Sequence, residues 1–246
     1  MSSLSATRSL LLCLGVTLVF SAACSHSDDA SAPTEPPAIS TAEAEAKLRR
    51  IVLTAGDIAP DYTQDSEELR DNAEAAALRP DADLARRQYE DWGQVLSLDI
   101  QFAAPATNEL LFAGRTARVS NSASVFGSTE GAADAMTYLR GLPPETVAAY
   151  VERSSSGSPT KLSQTRVRRD AEPAATAADE SFILRTTGTA TLATGLEMNY
   201  VADTVFVRVG NTNGAITAIA LNQPPNRDEL QRLVGAFVFK ARAASG

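Results

Sequence analysis

One stretch of strict alternation constrains the fold more than any other feature of the chain. From Leu96 to Phe102, apolar residues alternate with Ser97, Asp99 and Gln101. Side chains along a β-strand point to opposite faces in turn, so this segment predicts a strand with one face on a core and a polar face turned outward.

Further strands are expected where β-branched and aromatic residues gather between turn signals. The alternation from Thr116 to Phe126 is less regular, and the last two strands are expected to join through a hairpin turn at Gly210 to Gly214, whose residues tolerate positive φ. The remaining predicted strands are Ser181 to Thr187, Leu196 to Ala202, Thr204 to Val209 and Ala215 to Leu221.

The end of the chain predicts an amphipathic helix. Asn226 followed by Glu229 resembles the start of a capping box, in which an N-cap side chain accepts a hydrogen bond from a free backbone N–H. The positions after it that share one helical face are all apolar. They are Leu230, Leu233, Val234, Phe237 and Val238.

Other helices are expected from Thr41 to Leu53, from Ala82 to Trp92, from Ser128 to Arg140 and over a short segment that starts at Pro143 and Pro144. The strands cluster instead of alternating singly with crossover helices, which favours antiparallel pairing. The predicted fold class is therefore α+β: an antiparallel sheet with helices packed on one face, completed by the C-terminal amphipathic helix.

The N-terminus has the order of an export signal. Arg8 precedes the apolar run from Leu10 to Phe20, and the small residues Ser21 to Ala23 follow it. The run is about half of the roughly 20 residues that a membrane-spanning helix needs. We therefore expect residues 1–23 to be a signal peptide.

The signal ends at a cysteine. Ser21-Ala22-Ala23-Cys24 resembles the lipobox of bacterial lipoproteins, although the family more often has Leu at the first of these positions. The resemblance implies that Cys24 is lipidated and becomes the first residue of the mature chain, which would hold it at the extracytoplasmic face of the cell membrane or the outer membrane. Two or three acyl chains anchor a protein stably, whereas one does not. The alternative is an ordinary cleavable signal with an incidental cysteine.

The segment after Cys24 is rich in Ser, Asp and Pro and cannot bury enough apolar surface to offset its ordering entropy. We expect residues 24–40 to be a disordered tether and residues 41–246 to form a single α+β extracytoplasmic domain. The only other cysteine, Cys13, lies in the signal. The domain must therefore fold without a disulfide.

Charge and residue usage exclude several functions. The chain carries a formal net charge of −8, which opposes binding along a phosphate backbone. Its one histidine, His26, lies in the tether, so a serine nucleophile has no histidine base and no metal cluster of Cys and His can form. No glycine-rich nucleotide motif is present either. We expect no catalytic residues, no metal and no cofactor.

A few side chains remain as candidates for binding. Trp92, the sole tryptophan, is expected to be a partly buried anchor between helix and strand, with a pocket shared with Tyr62 or Tyr200 as the functional alternative. Arg166, Arg168 and Arg169 form the densest basic spot. Alternation sets Val167 opposite the first two, as on a guarded strand edge; the alternative is contact with an anion or a lipid head group.

The C-terminal third, with Ala178-Asp179-Glu180-Ser181 before a strand and a closing hairpin and helix, resembles domains of bacterial lipoproteins and, loosely, PsbP-like and extracytoplasmic sensor domains. This resemblance transfers no functional residue. The favoured hypothesis is a membrane-anchored, non-catalytic binding module for a small molecule, lipid or polymer. The alternatives are an accessory lipoprotein that binds proteins of an envelope complex or signalling system, and an enzyme that uses acids alone.

Overall fold

The computed structural model describes residues 39–79, 81–105, 116–154, 161–170, 177–191 and 195–245. The predicted signal peptide, Cys24 and most of the predicted tether lie outside these ranges. No helix among the described residues has the length and apolar character needed to cross a bilayer.

The centre of the domain is one antiparallel sheet of seven strands in the order β1-β2-β3-β7-β6-β5-β4. The first three strands and the last four are each consecutive in sequence, and β3 joins the two groups by pairing with β7. The strands are β1 (Thr63–Arg70), β2 (Gln94–Ala103), β3 (Thr116–Phe126), β4 (Lys161–Asp170), β5 (Glu180–Thr191), β6 (Glu197–Val209) and β7 (Thr212–Leu221).

Six described helices accompany the sheet, and five of them begin with a side-chain cap that sequence makes visible. Ser40, Asp71, Asp81, Ser128 and Asn226 each accept a hydrogen bond from a backbone N–H of the first turn. The helices are α1 (Thr41–Ile51), α2 (Asn72–Ala77), α3 (Ala82–Asp91), α4 (Thr129–Gly141), α5 (Pro144–Ser154) and α6 (Arg227–Ala243).

The main core lies between the first face of the sheet and helices α1 and α6. Leu98 of β2 and Ile216 of β7 are fully buried there, in one cluster with Leu48 of α1 and Phe237 of α6. The apolar residues of the alternating segment at 96–102 all belong to this cluster. Burial of large apolar side chains is the main favourable term in folding, so this face contributes most of the stability.

The expectation that all helices pack on one face of the sheet is wrong. Helices α4 and α5 form a second apolar cluster on the opposite face, where Met136 and Val147 pack with Phe182, Leu184 and Phe206. The register shows the change of face, because Phe206 lies between Val205 and Val207, which belong to the first-face cluster. Both faces of β5 and β6 are apolar along part of their length, so one layer of helices could not cover them.

The C-terminal helix buries the five apolar residues named from its periodicity. Its start differs in one respect from a capping box. The Asn226 side chain accepts from the N–H groups of Asp228 and Glu229, but the Glu229 carboxylate accepts from the Thr116 hydroxyl at 3.0 Å. The acid at this position therefore ties α6 to the start of β3.

Two strands differ from the sequence prediction. The highly charged β1 was not predicted as a strand; it forms at the sheet edge, where three of its acids pair with arginines. The two segments expected on either side of Asp203 are one continuous strand, β6, because Arg185 of β5 neutralises that buried carboxylate.

Candidate functional site

The second face of the sheet is polar on β1, β2 and β3. Cross-strand pairs place Ser97 opposite Arg70 and Ser124, and Asp99 opposite Ser122. We call nine of the polar side chains of this face the polar strip. Its members are Ser66, Glu68 and Arg70 of β1, Ser97, Asp99 and Gln101 of β2, and Ser120, Ser122 and Ser124 of β3.

The strip covers β1, β2 and β3, the three strands at one end of the sheet, and a helix covering it would require apolar residues there. On its first face β3 presents Val119, Ala123 and Val125 to the core, whereas its second face carries three serines that are only half-buried. The apolar cluster formed by α4 and α5 contains residues of β5 and β6 and no member of the strip. The strip is therefore a polar surface that lies beside α4 and α5 on the second face of the sheet.

An ion-pair network occupies the middle of the strip. Arg70 bonds the carboxylates of Asp99 and Glu68, and the Ser122 hydroxyl donates to the second oxygen of Asp99. Both oxygens of Asp99 are thus bonded within the network. Charge-assisted hydrogen bonds of this kind are stronger than neutral ones and fix the geometry of the groups.

A second arginine continues the network toward the end of the strip. Arg118 of β3 donates to Gln101 and, at 2.7 Å, to Asp65 of β1. The side chain of Arg118 is 4% exposed and that of Asp65 is 38% exposed. Buried charges need compensation of this kind, because an unpaired charge in a low-dielectric site is very unfavourable.

Aromatic rings border the strip at the end of β3. Trp92 caps α3 and lies 5.3 Å, centroid to centroid, from the ring of Tyr138 on α4. It also packs with Phe126, which shares the second face with Ser124 and lies two residues further along β3. Two residues of a strand span about 7 Å, so the aromatic group adjoins the strip.

We call these aromatic side chains the aromatic wall, and two of them, Tyr138 and Tyr89, carry hydroxyl groups. The Tyr138 hydroxyl is buried and has no hydrogen-bond partner among the described residues. Desolvation by burial raises the pKa of Tyr138, and the nearby charge of Arg79 opposes this shift. Arg79 itself donates to the Tyr89 hydroxyl at 2.9 Å. An unsatisfied buried hydroxyl of this kind is costly.

The junction of α3 and α4 holds Trp92 in place. A Cβ added to Gly131, in the first turn of α4, would lie 1.9 Å from the Trp92 carbonyl oxygen. Only glycine permits this close approach. The glycine therefore allows the Trp92 backbone to pack against the first turn of α4.

The three aromatic residues predicted as binding candidates lie in different clusters. Tyr62 belongs to the first-face core, and its hydroxyl donates to the Thr116 carbonyl at 2.5 Å. Tyr200 lies on β6, with its hydroxyl 3.2 Å from that of Thr165. Of the three, Trp92 is the one that borders the polar strip. Cys24, the predicted lipid-attachment residue, lies outside the described residues.

The basic spot lies on β4, an edge strand of the sheet. Arg166 and Arg168 are exposed on one face, and Val167 packs against the α4–α5 cluster on the other, as the alternation predicted. Arg169 donates to the Leu142 carbonyl at 2.7 Å. A bulge at residues 163–166 adds to the protection of this edge against pairing with another strand.

Sequence reasoning identified the polar side of β2 but not its partners. Ser97, Asp99 and Gln101 were visible as the outward half of the alternation, whereas Arg70 and Ser122 join them only through the strand register. The three serines at every second position of β3 are the signal that could have shown the strip.

Comparison with known proteins gives little further information. No family model matches the chain, and no curated protein matches it. Among solved structures, the extracellular domain of PknH from Mycobacterium tuberculosis is similar, with 11% sequence identity and a TM-score of 0.47 over 81% of this chain and 97% of that one. We draw no conclusion about function from a similarity at this level.

Proposed function

We propose that this chain is a lipid-anchored extracytoplasmic module that binds a small polar molecule on the polar strip without transforming it. The observation that carries the proposal is the half-buried row of serines on β3, beside an ion-pair network and an aromatic wall. Binding sites of small molecules use aromatic side chains together with a few well-placed polar groups, and this face offers both.

The proposed location rests on the N-terminal sequence. An apolar run bounded by Arg8 and by the small residues before Cys24 supports export and lipidation. The test is a Cys24→Ser variant of the full chain, followed by acyl labelling and membrane fractionation. We expect the variant to lose the label and to leave the membrane pellet. Continued labelling and sedimentation would show that this cysteine is not the anchor.

Binding is favoured over catalysis because the strongest acid–base candidate of the strip is engaged. Asp99 accepts from Arg70 and from Ser122, so its charge is held by partners instead of being directed at a reacting group.

Binding is also favoured over docking of another protein. Three large apolar residues of the described part are exposed, and they lie on separate elements: Leu78 after α2, Leu196 before β6 and Phe239 on α6. Scattered exposure of this kind does not mark an interface.

Co-purification tests the proposed function directly. The full-length protein would be extracted from its native membrane, and bound small molecules, lipids and proteins identified by mass spectrometry. We expect a small polar molecule that is depleted in a Ser122→Val variant and retained in Thr187→Val, a half-buried control on the first face of β5. A molecule retained equally by both variants, or a protein as the sole stoichiometric companion, would contradict the proposal.

A further inference from the structure

We infer that the polar strip takes a neutral polyhydroxylated ligand of the carbohydrate class, with Trp92 at one end of the bound molecule. This inference deepens the proposed function and depends on it. It rests on three independent properties of the strip: the pairing of its charges, the chemistry of its hydroxyl groups and the aromatic wall beside it.

The charged side chains of the strip, and Arg118 beside it, are all held by partners within the group, in which two arginines face three carboxylates. Arg70 is shared between Asp99 and Glu68, and Arg118 is held by Asp65 and by the side chain of Gln101. An anionic ligand would have to compete with carboxylates for these arginines, and a cation would have to compete with the arginines for the carboxylates. Removing one partner of such a pair leaves the other charge uncompensated, which makes either exchange unfavourable. A neutral ligand needs no exchange.

The groups left for a ligand are mainly hydroxyls. Ser120, Ser122 and Ser124 repeat at every second residue of β3 and are half-buried, and Ser122, whose proton goes to Asp99, can still accept from a ligand. A hydroxyl both donates and accepts hydrogen bonds, so a row of them matches a ligand whose own groups do both. The fixed carboxylate of Asp99 retains further lone pairs that can accept from the ligand. A fatty acyl chain would leave these groups desolvated and unpaired.

The aromatic wall supplies the remaining contact. The side chains of Trp and Tyr offer a large flat surface with a polar group at the edge, which suits ligands that are apolar on one face and polar along the edge. The C–H faces of a sugar ring have this character. Trp92 and Tyr138 are both partly exposed, so part of this aromatic surface is open to such a ring.

Trp92 also makes the inference measurable, because it is the only tryptophan of the chain. The full-length Cys24→Ser protein would be screened on an array of neutral glycans. Hits would then be titrated by tryptophan fluorescence and calorimetry, with inositol hexakisphosphate as the anionic probe and oleate as the apolar probe. We expect at least one neutral glycan to bind saturably and to shift the emission, while the two other probes do not.

Two variants locate the binding. Ser122→Val should weaken the glycan about tenfold or more, the effect of losing one or two hydrogen bonds, and Thr187→Val on the opposite face should leave affinity within about twofold. Ser120→Ala, which adds no bulk, provides a second test if Ser122→Val melts at a lower temperature than the parent. We expect it to weaken binding in the same direction.

The other outcomes contradict the inference in distinct ways. Binding of the phosphate probe or of oleate alone would overturn the carbohydrate class and leave the proposed function standing. Glycan binding unaffected by both strip variants would place the ligand elsewhere and overturn the site. If no glycan on the array binds, the inference fails, and the co-purification experiment decides separately whether the strip holds another small molecule.

Discussion

Arg185 and Asp203 lie directly opposite each other on β5 and β6, and the guanidinium donates two hydrogen bonds of 2.6 Å to the two carboxylate oxygens. The side chain of Asp203 is 6% exposed and that of Arg185 is 28% exposed. The pair therefore sits on the first face of the sheet with its acid buried and its base partly in water. Two parallel bonds of this kind also fix the relative orientation of the two strands.

Removing one partner of this pair should destabilise the domain strongly. We expect Arg185→Met to lower the free energy of unfolding by about 3 kcal/mol, because Asp203 is left as an uncompensated buried charge. Replacing both residues, as Arg185→Met with Asp203→Leu, should recover most of that loss, since an apolar pair of similar volume needs no compensation. Urea denaturation of the three variants measures this. A double variant as unstable as the single one would show that the ion pair itself stabilises the fold.

The packing of Phe237 against Gly214 gives a second prediction. A Cβ added to Gly214 would lie 2.3 Å from the Phe237 ring, so the ring occupies the space of a missing side chain. We expect Phe237→Ala to cost about 3 to 5 kcal/mol and Gly214→Ala to cost about 1 to 3 kcal/mol through overpacking. The double variant should cost clearly less than the sum, because the new methyl group enters the cavity left by the ring.

Thermal or urea unfolding of the two single variants and the double variant measures this coupling. Phe239→Ala is the matched control, since Phe239 lies on the same helix and is 76% exposed. It should change stability by less than about 0.5 kcal/mol. Strict additivity of the two core substitutions would contradict the ring-into-glycine packing.

How far the fold follows from sequence can be seen in individual residues. The alternation at 96–102 and the apolar stripe of α6 were readable because each depends on spacing within one segment. The second helical layer was not, because α4 and α5 have ordinary amphipathic patterns that do not say which face of the sheet they cover. The polar strip depends on the register of β1, β2 and β3, and register is a property of strand pairing.

Replacing each of two helical glycines by alanine should change the stability of the domain in opposite directions. Gly235 lies exposed within α6, and an added Cβ would meet nothing within 4 Å. We expect Gly235→Ala to stabilise the domain by about 0.5 to 1 kcal/mol, because glycine loses more conformational freedom in a helix than alanine does. Gly131→Ala should instead destabilise it and shift the emission of Trp92, whose carbonyl occupies the position of the new methyl group. The melting temperatures and emission spectra of the two variants test this, and a stabilising Gly131→Ala would contradict the tight α3–α4 junction.

Alkaline pH should destabilise the domain through its buried tyrosines. Burial, and then the charge of Glu229, raise the pKa of Tyr62 from 10.0 to about 12, although the Thr116 carbonyl bond opposes the shift. In the unfolded chain Tyr62 loses its proton near pH 10, whereas in the folded chain it keeps it, so its contribution is complete below pH 10 and is lost as the pH rises to about 12. Burial also raises the pKa of Tyr138 and Tyr200, which act in the same direction.

Urea denaturation at a series of pH values from 8 to 12 should therefore show a falling free energy of unfolding, and Tyr62→Phe should reduce the slope without abolishing it. The same variant should lose about 1 kcal/mol at neutral pH, since the Thr116 carbonyl loses its donor. An unchanged slope would mean that the Tyr62 hydroxyl titrates normally and is not held in the core.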